Sequence, residues 1–574
     1  MGKEARTEGN NRRGGLITGA LALTAAALAA LPTAGYAAPG SMSSVIVMER
    51  PHAGDAPERA VERLGGTVGR QLPIINGFAA KIPTTAMTKL RTARGVLRVS
   101  QNRTLRANGF LPGSNYDNVA NQTSLYSAVR VVGGEQYWLR GYTGAGIDVA
   151  LIDTGVTRVP GLDAPGKVLD GPDLSFESQD PARTFKDFYG HGTHLAGIIA
   201  GNDRPGSTGS QYAADSTSFI GIAPDARIVN MKVGDGNGVT DVTQVIAAID
   251  WVVQHRNTDG LNIKVMEIAF GSDSTQPYGV DPLAYATEVA MAKGIAVVVA
   301  AGNTGKTVPG PGVASPGYHP RAIAVGASDP KGTNLAEDDT VAPFSSAAAN
   351  WGGRGPDLLA PGISIPSLMA PGSSIATAFG PYASVGTRFI KGSGTSQSSA
   401  LLAGGIALMY DVQGTLTHDR VKSTITYYSK RLLNEPRETQ GAGVVQLDWI
   451  LGRSLIAPPV FARTLGNGSI DIARGTRRVE MDGIPIQGEI DIMGAPFNSG
   501  AWAAAANAGT TWSLTGDWNG RGWAGSSWAG SSWAGRSWAG RSWAGRAWAS
   551  SAWAGSAWSG DAWSGSAWST ATWR

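Results

Sequence analysis

Asp148-Val149-Ala150-Leu151-Ile152, followed at once by Asp153-Thr154-Gly155, decides how this chain is read. The short, nearly continuous apolar run has the length of a strand buried on both faces, and an acidic residue emerges at its carboxyl end. Ile295-Ala296-Val297-Val298-Val299-Ala300 repeats the pattern, and Ile228 to Val233 and Ile263 to Ile268 are weaker versions of it. Helical patterns lie between these runs. Asp241 is placed to cap a helix reaching about Arg256, with Val245, Ile246, Ile249 and Val252 on one face. A second helix from about Leu283 to Lys293 stops at Gly294. Strand and helix alternating over residues 125–455 predict an α/β domain: a doubly wound, mainly parallel sheet covered on both sides, with its site at the carboxyl ends of the strands.

Composition narrows the chemistry. Forty-eight Lys and Arg stand against 44 Asp and Glu in 574 residues, a balance of +4, too slight to argue for a nucleic acid or an acidic partner. The chain contains no Cys, which removes disulfides, Cys-ligated zinc, iron–sulfur clusters and a thiol nucleophile together.

Arg12-Arg13, the apolar run Leu16 to Leu31 and the small residues up to Ala38 read as a signal peptide over residues 1–38, and the protein is expected to be secreted or associated with the cell envelope. From Trp518 to Trp573 a Trp recurs at every fifth position, twelve in all, in a tail spanning residues 516–574. A period of five matches neither helix nor strand, so no single face collects the rings. Such aromatic residues with scattered Arg suit stacking on cell-wall glycan, on one another or on single-stranded bases, nucleic acid being the least expected partner of an exported chain; the alternative is a disordered stalk. Residues 456–515 read as a linker or small accessory segment, with strand-like alternation between Arg474 and Gly494.

Four loops carry polar residues that a core does not need. Asp153-Thr154-Gly155 is also the signature of aspartic proteases, but those need two such carboxylates sharing a proton, and no second Asp-Thr-Gly or Asp-Ser-Gly occurs. Gly190-His191-Gly192-Thr193-His194 offers two histidines, without a His-Glu-x-x-His pattern and with four other His in the chain. His191, flanked by glycines, is the expected general base, and His194 a structural partner. Gly394-Thr395-Ser396-Gln397-Ser398-Ser399-Ala400 runs into an apolar helix, and a serine there is ordinarily a cap; its company decides otherwise. Ala300-Ala301-Gly302-Asn303 ends the most apolar strand with an amide suited to donate to an oxyanion.

Asp153, His191 and Ser396, in that order with each motif intact, resemble the subtilisin family of serine peptidases. The resemblance covers residues 130–452 and takes in Gly141-Tyr142-Thr143-Gly144, Pro320 to Ala327, Pro343-Phe344-Ser345-Ser346 and Ala360-Pro361-Gly362. It implies that Ser396 is the nucleophile, His191 the base and Asp153 its orienting partner, with Asn303 and the Ser396 N–H as the oxyanion hole. It also implies that Gly236-Asn237-Gly238 and Ala269-Phe270-Gly271 line the cleft and bind substrate as an added strand.

The resemblance implies no cofactor for catalysis. A structural calcium ion is a family habit, for which the loop Asp235 to Asp241 offers oxygen ligands. Gln397, Ser398 and Ala400 depart from the family's Met, Ala and Pro, so the nucleophile's helix is expected to sit differently. The bulk of Phe270 is expected to narrow the pockets, and Pro366 to Lys391 to form a lid or specificity loop. Residues 39–110 resemble the family's inhibitory propeptide, above all in Gly77-Phe78-Ala79-Ala80, with a cut expected between Leu105 and Ala128. The chain therefore reads as an exported, self-processed serine endopeptidase acting on proteins or peptides, with its own propeptide as a partner. The alternative is an inactive envelope protein that binds surfaces through its tail.

Overall fold

The computed structural model describes residues 42–101 and 124–522, apart from 52, 73–75, 179, 306–311, 349–352, 477, 482–483, 514–516 and 520. The expected signal peptide, the tail from Trp523 and most of the expected propeptide cut lie outside the described residues. The chain divides into two units between Thr104 and Leu105.

In the first unit, β1 (Met42–Glu49), α1 (Ala56–Arg63), β2 (Thr67–Leu72), β3 (Gly77–Pro83), α2 (Met87–Arg91) and β4 (Val96–Gln101) form an antiparallel sheet in the order β2-β3-β1-β4 with two helices. Val45, Val47, Val61, Phe78, Ile82 and Leu90 fill its core. A Cβ on Gly77 would fall 2.1 Å from the Val47 carbonyl oxygen, so only glycine lets β3 lie against β1 there. The edge strand β2 is absent from the sequence reading because its residues are mostly exposed and lack an apolar face.

The second unit begins with α3 (Leu125–Val131), α4 (Glu135–Trp138), β5 (Asp148–Asp153), β6 (Val168–Asp170), α5 (His191–Ala200), α6 (Gly209–Ala214), β7 (Arg227–Lys232) and α7 (Val242–His255). It continues through β8 (Ile263–Ile268), α8 (Pro282–Ala292), β9 (Ala296–Ala300), β10 (Ile323–Asp329), β11 (Thr340–Val341) and β12 (Leu358–Pro361). Next come β13 (Ile365–Leu368), α9 (Ser374–Ala383), β14 (Ser384–Val385), β15 (Phe389–Gly392), α10 (Thr395–Val412) and α11 (His418–Tyr427). It closes with β16 (Ser429–Lys430), α12 (Arg437–Gln440), β17 (Val444–Val445), α13 (Ile470–Ala473), β18 (Glu480–Met481), β19 (Ile484–Pro485), α14 (Ser499–Ala508), β20 (Asp517–Trp518) and β21 (Arg521–Gly522).

The main sheet runs β16-β17-β12-β10-β9-β8-β5-β7-β6, with β11 added on β10. The β10–β11 and β16–β17 pairings are antiparallel and the others parallel. All six residues of β5 are buried, as the opening stretch predicts. Val149 and Leu151 join the core made with α5 and α10, whereas Ala150 and Ile152 join the core made with α7 and α8. This two-faced burial explains why the strand reads as one apolar run rather than as an alternation.

Two expectations are refined. Residues 366–391 are an ordered insertion in which β13, β15 and β14 form a small antiparallel sheet beside α9. Much of the segment from 456 is no loose linker: Ile470, Phe497, Trp502, Trp512 and Trp518 belong to the same core as α7 and α8. The indole N–H groups of Trp502 and Trp518 donate to one oxygen of Asp250, at 2.9 and 2.8 Å, and that of Trp512 to the Ala247 carbonyl. Trp518, the first ring of the five-residue repeat, is thus part of the folded body. No helix among the described residues is long and apolar enough to cross a membrane.

Candidate active site

Asp153 is the last residue of β5, His191 the first of α5, Asn303 follows β9, and Ser396 is the second residue of α10. Parallel strands place their carboxyl ends on one edge, so two strand ends and two helix N-termini lie where the sequence expects a site. His191 Nδ1 lies 2.9 Å from both oxygens of Asp153. The Thr154 N–H donates to Asp153 Oδ1 at 2.8 Å, and the Thr154 hydroxyl lies 3.1 Å from the same oxygen and 2.8 Å from Asp187. Asp187 in turn accepts the N–H groups of Gly190 and Thr193, which fixes the turn that delivers His191. Its burial pushes its pKa up.

The glycines of these motifs are required by contact. A Cβ on Gly192 would sit 2.1 Å from the Gly155 carbonyl oxygen, so the Asp and His loops touch backbone to backbone. A Cβ on Gly362 would sit 2.2 Å from Ser398 Oγ, which donates to the Ala360 carbonyl at 2.9 Å. That contact accounts for Ala360-Pro361-Gly362 standing beside the turn that opens α10. The Thr395 N–H donates to Asn303 Oδ1 at 2.9 Å, the Thr395 hydroxyl at 3.1 Å, and the Gly302 N–H donates to Thr395 Oγ1 at 3.0 Å. With Oδ1 committed to the residue before Ser396, the amide nitrogen is the donor end of Asn303. His194 is fully buried in α5, and burial drops its pKa to about 3, keeping it neutral.

The two expected cleft segments leave β7 and β8, the neighbours of β5, so they flank Asp153 on either side. The Gly236 N–H donates to Glu177 Oε1, the Asn237 N–H to Asp235 Oδ1 and the Gly238 N–H to the Asp235 carbonyl. The Gly236 carbonyl accepts from Ser374 of α9 at 2.6 Å, which joins the 366–391 insertion to this loop. The N–H groups of Gly236, Asn237 and Gly238 are therefore already used within the protein. Glu177 is anchored by the buried Lys232 at 2.8 Å.

Ala269 and Gly271 are buried, and the Phe270 ring is 1% exposed within the core, near Gly234. Its bulk is absorbed by the layer beneath the cleft, next to a position where glycine leaves room. In the loop weighed for calcium, Asp235 points inward to the Asn237 and Val239 N–H groups and Asp241 pairs with Arg474. Among the described residues no group of three or more His, Asp or Glu is placed to hold a metal ion.

A carboxylate–imidazole pair at the sheet's carboxyl edge, a serine opening a buried helix and an amide beside it define an α/β protein of the serine-hydrolase class. Its chain order of Asp, His and Ser narrows the class further. The sequence profile of the subtilase family matches residues 144–443, and the chain belongs to that family: it is a subtilisin-like serine peptidase. It is 34% identical over 311 residues to the serine protease AprX of Bacillus subtilis, an alignment spanning 53% of this chain and 66% of AprX. It is 28% identical over 387 residues to subtilisin E of the same species, spanning 65% of this chain and 83% of that protein. A subtilisin of Bacillus pumilus is 30% identical over 306 residues, 51% of this chain and 91% of its own length.

Proposed function

We propose that this protein is an exported serine endopeptidase, made as a proenzyme that removes its own amino-terminal unit. The observation that carries the reading is the His191 Nδ1–Asp153 contact at 2.9 Å. With a proton held on Nδ1 by the carboxylate, the lone pair of the neutral imidazole lies on Nε2, the atom that takes the Ser396 proton. Ser396 Oγ attacks the peptide carbonyl carbon, and the oxyanion is met by the Asn303 amide and the Ser396 N–H. His191 returns the proton to the leaving amine, and water then releases the acyl group by the same steps in reverse order.

Substrate is a protein or peptide held between the 236–238 and 269–271 segments. Because the N–H groups of the first and the Gly236 carbonyl are engaged, pairing there falls to the carbonyl groups of Asn237 and Gly238, and α9 of the 366–391 segment supplies a further wall. The four-stranded unit of residues 42–101 acts as the inhibitory propeptide, by its likeness to that of the family. The Trp repeat retains the enzyme at a surface by stacking on glycan or on other copies. Intact mass of wild type and Ser396→Ala, expressed from residue 39, tests the core of the proposal. Loss from wild type alone of a fragment ending between about Leu105 and Ala128 upholds it. Two uncut proteins refute self-processing and favour an inactive, surface-binding protein, while equal clipping of both assigns the cut to another protease.

A further inference from the structure

The exits of the two cleft segments are bolted to a single turn that lies outside the family-matched region. Arg474, at the end of α13, is 0% exposed. Its Nε donates to Asp241 Oδ2 at 2.8 Å and its Nη1 and Nη2 to the carbonyls of Gly488 and Ile490 at 3.1 and 2.5 Å. Asp241 caps α7 three residues after Gly238, and its Oδ1 also accepts the Thr243 N–H at 2.9 Å. Thr243 Oγ1 receives the Ile492 N–H at 3.1 Å.

The neighbours of Arg474 hold the other segment. Ser272, the residue after Gly271, donates its hydroxyl to the Ala473 carbonyl at 2.6 Å. The N–H and hydroxyl of Thr476 donate to the Asp273 carboxylate at 2.8 and 2.5 Å. Gly475 takes φ +69°, and a Cβ there would fall 1.9 Å from Asp273 Oδ1, so the turn is fitted to that carboxylate. Residues 473–476 thus grip the first segment through Asp241 and the second through Ser272 and Asp273. A fully buried charge pair held this way leaves an uncompensated charge when one partner is removed, and the loss falls on both exits at once.

We infer that Arg474 is a positioning residue for substrate: the segment that follows the catalytic domain sets the separation of the two cleft walls, and so the gain in rate obtained from each added substrate residue. This rests on the reading of 236–238 and 269–271 as cleft walls.

The test uses the full chain, as wild type, Arg474→Met and Arg474→Lys. Each is assayed on p-nitrophenyl acetate, which reaches Ser396 without filling the cleft, and on peptide p-nitroanilides lengthened from one to four residues. For Arg474→Met the expected loss in kcat/KM grows with length, from less than about threefold on the ester to about 10²-fold on the longest peptide, carried mainly by KM. Arg474→Lys, which keeps the charge but not the fork, is expected to fall between the two and provides the comparison if the Met variant does not fold. Amide hydrogen exchange is expected to quicken in residues 235–241 and 269–273 and not at Asp153 or His191. Equal losses on ester and longest peptide, or no loss on either, overturn the inference and leave the peptidase reading intact. A wild type inert on every substrate overturns that reading first, and this inference with it.

Discussion

Ser399 Oγ lies 2.6 Å from Glu267 Oε1 and 3.0 Å from the carbonyl oxygen of Ser396, linking β8 to the turn that carries the proposed nucleophile. One hydroxyl proton cannot serve both acceptors. Burial raises the Glu267 pKa well above the carboxylate range, and the Asp153 charge adds to the effect, so the carboxyl keeps its proton. The neutral acid then donates to Ser399, and Ser399 donates to Ser396.

Glu267→Gln keeps a donor in this place and removes the titration. A folded pKa raised above the unfolded one gives stability that is fully present below the unfolded carboxyl pKa and is lost as pH rises through the folded value. Melting curves over a pH series are therefore expected to show wild type losing stability relative to Glu267→Gln from about pH 4.5 upward. Parallel curves for the two proteins would discard the neutral-acid account.

Asp250 makes a second pH prediction on the opposite face of the sheet. Burial pushes its pKa up to about 7, against a partial reduction by the Trp502 and Trp518 N–H bonds. Its proton is held between about pH 4 and pH 7 in the folded protein alone, so stability falls over that window. Asp250→Asn retains an acceptor oxygen for both indoles, and its melting temperature is expected to lack this fall. Trp518→Phe is expected to lower the melting temperature in either background, since it removes the N–H and part of a buried ring.

At the site itself, Asn303→Ala is expected to lower kcat by about 10²–10³ with little change in KM, a magnitude already known from subtilisin rather than obtained from this structure. Thr395→Val, which removes the hydroxyl that holds Asn303 and accepts from Gly302, is expected to move kcat in the same direction by a smaller factor. Steady-state kinetics on one peptide substrate decide it. A Thr395→Val effect confined to KM would contradict the orienting role.

Gly192→Ala tests the backbone contact between the Asp and His loops. The added Cβ meets a carbonyl oxygen at 2.1 Å, so either the two loops separate or the unit fails to fold. Loss of self-processing together with a lower melting temperature is the expected result. A variant that processes at the wild-type rate would show that the contact is not required.

The parts legible in the sequence were those whose chemistry is local. β5 and β9 announce burial on both faces through their own residues, Asp241 shows its capping role by its place before α7, and each catalytic motif is contiguous. What stayed hidden depends on distant pairing. Arg474 meets a partner 233 positions away, and Trp502 and Trp518 meet Asp250 across 252 and 268 positions. Nothing local marks those residues as core, because an Arg and tryptophans set among small and polar residues read equally well as surface. Phe270 misled for the complementary reason: the room that accepts its ring is made by Gly234 on another strand's exit.

The docking of Trp518 has a mechanical consequence. A tether usually joins its cargo through a slack linker, but the repeat proposed as a tether here opens with an indole seated against Asp250. A pull on the tail is delivered to the body of α7, about 13 Å along the helix axis from its Asp241 cap. The load path therefore enters through the α7 and α8 layer, whereas Ser396 rides on α10 in the other. In the tethered enzyme proposed above, a load from the substrate or the support is therefore not routed through the helix that bears Ser396.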